Sequence, residues 1–175
     1  MSATATRLLD NYVGGAWTPA SAASEALDVT NPATGEVLAR VPLSGTADLD
    51  AAVAAARAAL PEWRAVSVIE RARRLFALRE GLSARHEDLA RSVTTEMGKT
   101  IADARAEVAR MIEMVEAACA IPTTMQGRIL EDVARNVDCE TIRQPVGVCA
   151  AIVPFNFPAM VPFWFLPFAI GCGNT

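Results

Sequence analysis

Val148-Cys149-Ala150-Ala151-Ile152-Val153 runs directly into Pro154-Phe155-Asn156-Phe157-Pro158. The first six residues are all apolar and have the length of a strand. They lack the polar alternation of a half-exposed strand, and such runs suit a parallel strand covered on both faces of an α/β sheet. The two prolines then frame a loop, because proline donates nothing to a sheet ladder and pushes the residue before it away from helix. Residues 160–170 read as a helix, ended by Gly171-Cys172-Gly173-Asn174. Strand, loop and helix at the carboxyl end of a parallel strand is where open α/β sheets take their cofactors. The expected fold class is α/β.

Upstream, residues 129–133 and 137–142 are β-rich runs around Ala134-Arg135-Asn136 and predict an antiparallel pair. Four helices are predicted before that. In 46–60, Leu49, Val53, Ala56 and Leu60 recur at helical spacing, and Pro61 is expected to stop the pattern. Ser67 with Glu70 is a capping box opening a second helix, with Ala72, Leu75, Phe76 and Leu82 on one side. A third carries Leu89, Val93 and Met97 and ends at Gly98. Thr100 with Asp103 opens the fourth, whose stripe is Ile101, Ala104, Val108, Met111, Ile112 and Val115. The first forty-odd residues read as short strands around Gly14-Gly15 and Asn31-Pro32-Ala33-Thr34-Gly35-Glu36.

Composition narrows the function classes. Hydrophobic residues make up 52% and charged residues 21%, which is globular material. A net charge of −4 leaves no electrostatic footprint for nucleic acid. No charge occurs from Val146 to Thr175, long enough to span a bilayer, but Pro154, Pro158, Pro162 and Pro167 break the stretch too often for a transmembrane helix. Cys119, Cys139, Cys149 and Cys172 form no C-x-x-C pair, and the single histidine, His86, is far from all of them, so no metal site is expected. Residues 1–10 lack the apolar core of a secretory signal. The expectation is a cytoplasmic protein with four reduced thiols, mostly packed as small hydrophobes.

The sequence from 143 onward resembles a known family. Pro154-Phe155-Asn156-Phe157-Pro158 is similar to the P-[WF]-N-F-P loop of the aldehyde dehydrogenase superfamily. Arg143-Gln144-Pro145-Val146-Gly147-Val148 before it fits that superfamily, as do Pro167 and Gly173-Asn174-Thr175 after it. So do Asn31-Pro32-Ala33-Thr34-Gly35-Glu36 and Glu96-Met97-Gly98-Lys99. Phe155, the run Pro158-Ala159-Met160-Val161-Pro162-Phe163-Trp164, Ile121-Pro122 and Met125-Gln126-Gly127 look like the CoA-acylating methylmalonate-semialdehyde dehydrogenases. The resemblance implies the N-terminal part of that fold: residues 1–125 the first part of a Rossmann-like NAD-binding domain, 126–145 an oligomerisation β-hairpin, and 146–175 the start of the NAD-binding α/β core.

What the resemblance implies for function is equally specific. The whole enzyme would oxidise malonate or methylmalonate semialdehyde with NAD, pass the acyl group to CoA as co-substrate, and lose CO₂. It would work as a homodimer or homotetramer. The family's cysteine nucleophile and glutamate base are expected beyond Thr175, so the 175 residues alone should be inactive, and Cys172 is not that nucleophile. Two alternatives stay open: a hydrolytic dehydrogenase for another semialdehyde, and a non-catalytic assembly module.

Asn156, by itself, reads as a turn asparagine between two prolines. The motif makes it the oxyanion donor: a carboxamide N–H on a rigid loop suits a carbonyl oxygen gaining charge. The resemblance places Val153, Pro154 and Phe155 along the nicotinamide half of NAD. Arg110 lies nearly opposite the apolar stripe of its helix, which reads as a solvated arginine paired with Glu107 or Glu113. The resemblance instead turns it toward the substrate funnel, where its planar fork would hold the semialdehyde's carboxylate. Glu96 and Lys99 read as helix-end residues, Lys99 complementing the dipole, and His86 as surface.

Overall fold

The computed structural model describes residues 6–21 and 25–175. Residues 1–5, where the stretch read for a secretory signal begins, lie outside the described residues. Two hairpins open the described chain. β1 (Asn11–Val13) pairs antiparallel with β2 (Ala16–Thr18), and Gly14 and Gly15 both take positive φ, +61° and +83°, the pair of angles a two-residue hairpin turn requires. β3 (Ala26–Thr30) pairs with β4 (Val37–Pro42) across the 31–36 turn, where Asn31 Oδ1 accepts from the Ala33 N–H.

The helices match the expected order, with one change of boundary. α1 (Thr46–Ala65) does not stop at Pro61 but runs through it. Proline lacks one helical donor, yet the turn beyond it is held from outside, because Trp63 Nε1–H donates to the Ile170 carbonyl at 3.0 Å. α2 (Val68–Ala84) starts at Ser67, whose side chain accepts from the Glu70 N–H. α3 (His86–Met97) ends at Gly98 in the left-handed conformation, φ +82°. α4 (Ile101–Cys119) is capped by Thr100, which accepts from the Asp103 N–H. A single turn, α5 (Ile121–Thr124), follows.

α4 is the centre of the packing. Its Ala104, Val108, Met111 and Ile112 form one buried cluster with Ala90 and Val93 of α3, against which Leu82, Leu89, Ile101, Ala159 and Phe163 pack. Further along, Ala118 and Cys119 meet Leu75 of α2 and Phe168. Of the expected α2 face, Ala72 and Leu75 are buried while Phe76 is exposed. Arg71 on the same helix is buried, its Nε donating to the Gly171 carbonyl at 2.8 Å.

β5 (Arg128–Ala134) and β6 (Val137–Thr141) form the predicted antiparallel pair around Asn136, with a register irregularity between Leu130 and Ala134. Every residue of both strands is exposed. Two expectations nearer the C-terminus need correction. Residues 148–153 are not a buried strand: no strand bond pairs them among the described residues, and Ile152 is fully exposed. A strand needs a partner ladder. Here only two backbone hydrogen bonds form at the start of the run, Cys149 N–H to the Thr175 carbonyl and Thr175 N–H to the Gly147 carbonyl. The expected 160–170 helix is split into a 3-10 turn (Val161–Trp164) and α6 (Leu166–Gly171), since Pro162 and Pro167 each open a new first turn. The thiols differ too. All four are free, but only Cys119 is buried, while Cys139 and Cys149 are exposed. The described chain is thus mixed helix and strand, with antiparallel hairpins and no parallel sheet among the described residues. No helix in it is long and apolar enough to cross a membrane.

Candidate active site

Asn156 sits at the middle of the 154–158 loop, exposed to solvent. Its carboxamide makes no hydrogen bond with any described residue, but its backbone carbonyl does: Lys99 Nζ donates to it at 3.1 Å. The same ammonium lies 4.3 Å from the centroid of the Phe157 ring and pairs with Glu107 Oε2. The other carboxylate oxygen, Glu107 Oε1, accepts from two successive backbone N–H groups, Ala159 at 2.8 Å and Met160 at 3.2 Å. Glu107 and Lys99 side chains are only 1% and 11% exposed. A buried carboxylate needs each of these donors, since leaving it short of partners costs several kcal/mol. Glu107 therefore has its oxygens fully used, and three of the residues it ties directly or through Lys99 belong to the loop and its exit.

These two residues were not anticipated in those roles. Lys99 is not a partner of its own helix's dipole; it points across to α4 and the loop. Glu107 is not on the solvated side with Arg110. The signal was present, since Glu107 falls three residues after Ala104 and four before Met111, squarely on the stripe that buries. A charge at a core position asks for a partner.

Val153 is half-buried, whereas Pro154 and Phe155 are exposed, Phe155 by 90%. From Ala150 to Phe155 no backbone N–H or C=O is used in hydrogen bonding among the described residues. A stretch of backbone with free N–H and C=O groups beside a broad apolar side chain suits a planar ring carrying a carboxamide, so the residues fit a nicotinamide. A recess of about 550 Å³ lies nearby, bounded by Cys149, Ile152, Trp164, Phe168 and Cys172. It borders residues 149–152, not the loop. Its one carboxamide, Asn174, is already committed, Oδ1 accepting from the Val146 and Gly147 N–H groups and Nδ2 donating to the Ala169 carbonyl. No charged side chain lines the recess, so nothing in it would fix an ionic ligand's orientation.

Arg110 is on the exposed side of α4 and pairs with Glu113 one turn on. Cys172 is half-buried, and His86 is half-buried with Nε2 3.1 Å from the Arg105 carbonyl oxygen.

The model of the aldehyde dehydrogenase family fits residues 17–175. The chain belongs to that family. It is 52% identical over 172 residues to malonate-semialdehyde dehydrogenase 2 of Geobacillus thermodenitrificans, covering 98% of this chain and 35% of that protein. It is 44% identical over 165 residues to the mitochondrial acylating methylmalonate-semialdehyde dehydrogenase of Arabidopsis thaliana, covering 94% of this chain and 27% of the other. A crystal structure of a methylmalonate-semialdehyde dehydrogenase from Sinorhizobium meliloti 1021, complexed with NAD, superposes with a TM-score of 0.93 at 37% identity. That match covers 99% of this chain and 35% of the other. This aldehyde dehydrogenase segment thus spans about a third of the length of the relatives it matches.

Proposed function

We propose that this chain is the N-terminal part of an NAD-dependent, CoA-acylating dehydrogenase of malonate or methylmalonate semialdehyde. One observation carries the reading: the 154–158 loop presents the Asn156 carboxamide free while fixing its backbone, in a chain half identical to malonate-semialdehyde dehydrogenases. Bound there, NAD would supply the acceptor for the hydride that leaves the substrate carbon. Val153, Pro154 and Phe155 would hold its nicotinamide half, through free backbone groups and the exposed Phe155 side chain.

This chain's own contribution to the chemistry is the developing oxyanion. When a thiolate supplied by the remainder of the enzyme adds to the aldehyde carbon, a C–S bond forms and the carbonyl π pair moves onto oxygen. The Asn156 N–H donates to that oxygen without giving up a proton, and the held loop spares reorganisation at the moment of reaction. The acyl group then passes to CoA, and CO₂ leaves the substrate's carboxylate end. Arg110 would bind that carboxylate, exchanging Glu113 for the substrate. The exposed β5–β6 hairpin would join copies of the chain into a homodimer or homotetramer, and the enzyme would be cytoplasmic.

In the full-length enzyme carrying this segment, Asn156→Ala should lower kcat by about 10²- to 10³-fold, the loss typical of one oxyanion donor. The KM for NAD should hold. A kcat within about threefold of wild type would contradict the role.

A further inference from the structure

Residues 154–156 share one hydrogen bond with the rest of the described chain, from Lys99 Nζ to the Asn156 carbonyl. Lys99 is in turn held by Glu107, and Glu107 Oε1 takes the N–H groups of Ala159 and Met160 where the loop ends. One buried carboxylate on α4 thus controls both the loop's centre and its exit, and the Phe157 ring closes over the ammonium between them. We infer that Glu107 and Lys99 are positioning residues that aim the Asn156 carboxamide.

The physical argument runs through the peptide plane. Anchoring the Asn156 carbonyl fixes the plane that follows its Cα, and the two N–H bonds at 159 and 160 fix the chain three and four residues on. Together they set where the Asn156 Cα–Cβ bond points. An oxyanion donor acts only when already in place, and a misplacement of about 1 Å can cost roughly 10²-fold in rate. Pro154 and Pro158 stiffen the loop but give it no direction, since neither brings a donor to tie it down. Glu107 and Lys99 are nearly buried and spend their polar atoms on each other and on the loop, so their effect is exerted through Asn156.

The inference rests on Asn156 being the oxyanion donor, and one thermodynamic cycle separates the two claims. Lys99→Met, Glu107→Gln and the milder Lys99→Arg are made in the full-length enzyme carrying this segment, each alone and each with Asn156→Ala. Expected is a kcat about 10- to 100-fold lower for Lys99→Met and Glu107→Gln alone, with the KM for NAD within about threefold. Lys99→Arg keeps the charge and so the fold, and should fall between these and wild type. In the Asn156→Ala background each should lose less than about threefold more, because there is no donor left to misplace. Equal losses with and without Asn156 would mean that the pair is merely structural, overturning this inference and leaving Asn156 in its role. If Asn156→Ala alone leaves kcat unchanged, the donor assignment falls and this inference with it. Should Lys99→Met and Glu107→Gln fail to fold, Lys99→Arg decides alone: no loss of kcat, or a loss that persists without Asn156, overturns the inference.

Discussion

Arg110 and Glu113 pair one helical turn apart on the exposed side of α4, and a pair of that kind contributes only a few tenths of a kcal/mol. So weak a pairing is readily exchanged for a substrate carboxylate, whose bidentate bond to a guanidinium is worth about 1.5–3 kcal/mol. If Arg110 holds that carboxylate, Arg110→Ala in the full-length enzyme should lower kcat/KM for malonate semialdehyde by about 10- to 100-fold. Propanal, which has no carboxylate, should lose less than about threefold. Steady-state kinetics with the two aldehydes decides it, and equal losses would make the arginine structural. At this scale the sequence singles out Asn156 as a candidate, because a motif between two prolines is local. It hid Glu107 and Lys99. Their pairing bridges eight residues of chain, and their common target lies some fifty residues on. A buried charge can be read from helical spacing, but its partner is chosen by tertiary packing.

Helix ends were legible because caps are local chemistry. Ser67, Thr100 and Gly98 each sit where their residue type requires. Gly98 has a second constraint, since a Cβ there would lie 2.7 Å from Pro32 Cγ at a φ of +82°. Gly98→Ala should therefore destabilise the protein by about 1–3 kcal/mol, read as a lowered Tm by calorimetry. An unchanged Tm would contradict the close approach to Pro32. Between α3 and α4, Arg105 forks onto Glu87, Nε and Nη2 at 2.8 and 2.9 Å, with Arg91 beside it. Those hydrogen bonds hold the Glu87 carboxyl down from 4.5 to about 2. A folded value below the unfolded one adds stability that is present above pH 4.5 and is lost as pH falls through about 2. Urea midpoints of wild type and Glu87→Gln should accordingly differ at neutral pH and converge on acidification across that window. A difference independent of pH would contradict the pairing. Where sequence reading missed at this scale, the cause was non-local. Pro61 is tolerated because Trp63 reaches Ile170, and residues 148–153 have the composition of a strand but no ladder to join among the described residues.

Viewed whole, the molecule is a helical block on α4, and two groups among its exposed apolar side chains bear on assembly. Ile129, Leu130, Val133 and Val137 stand out from the β5–β6 pair, and Val146, Ile152, Phe155, Trp164 and Phe165 from the C-terminal segment. Exposed apolar side chains grouped on one hairpin suit the proposed contact between copies. The hairpin assignment predicts that Ile129→Asp with Leu130→Asp converts the full-length oligomer to smaller species by light scattering. An unchanged mass would contradict it. The central claim, that this segment belongs to a CoA-acylating semialdehyde dehydrogenase, is tested most directly by the products. The full-length enzyme is incubated with malonate semialdehyde, NAD and CoA, and NADH, acetyl-CoA and CO₂ are measured together. The account predicts all three in equal amounts. Malonate released with CoA unconsumed would contradict it.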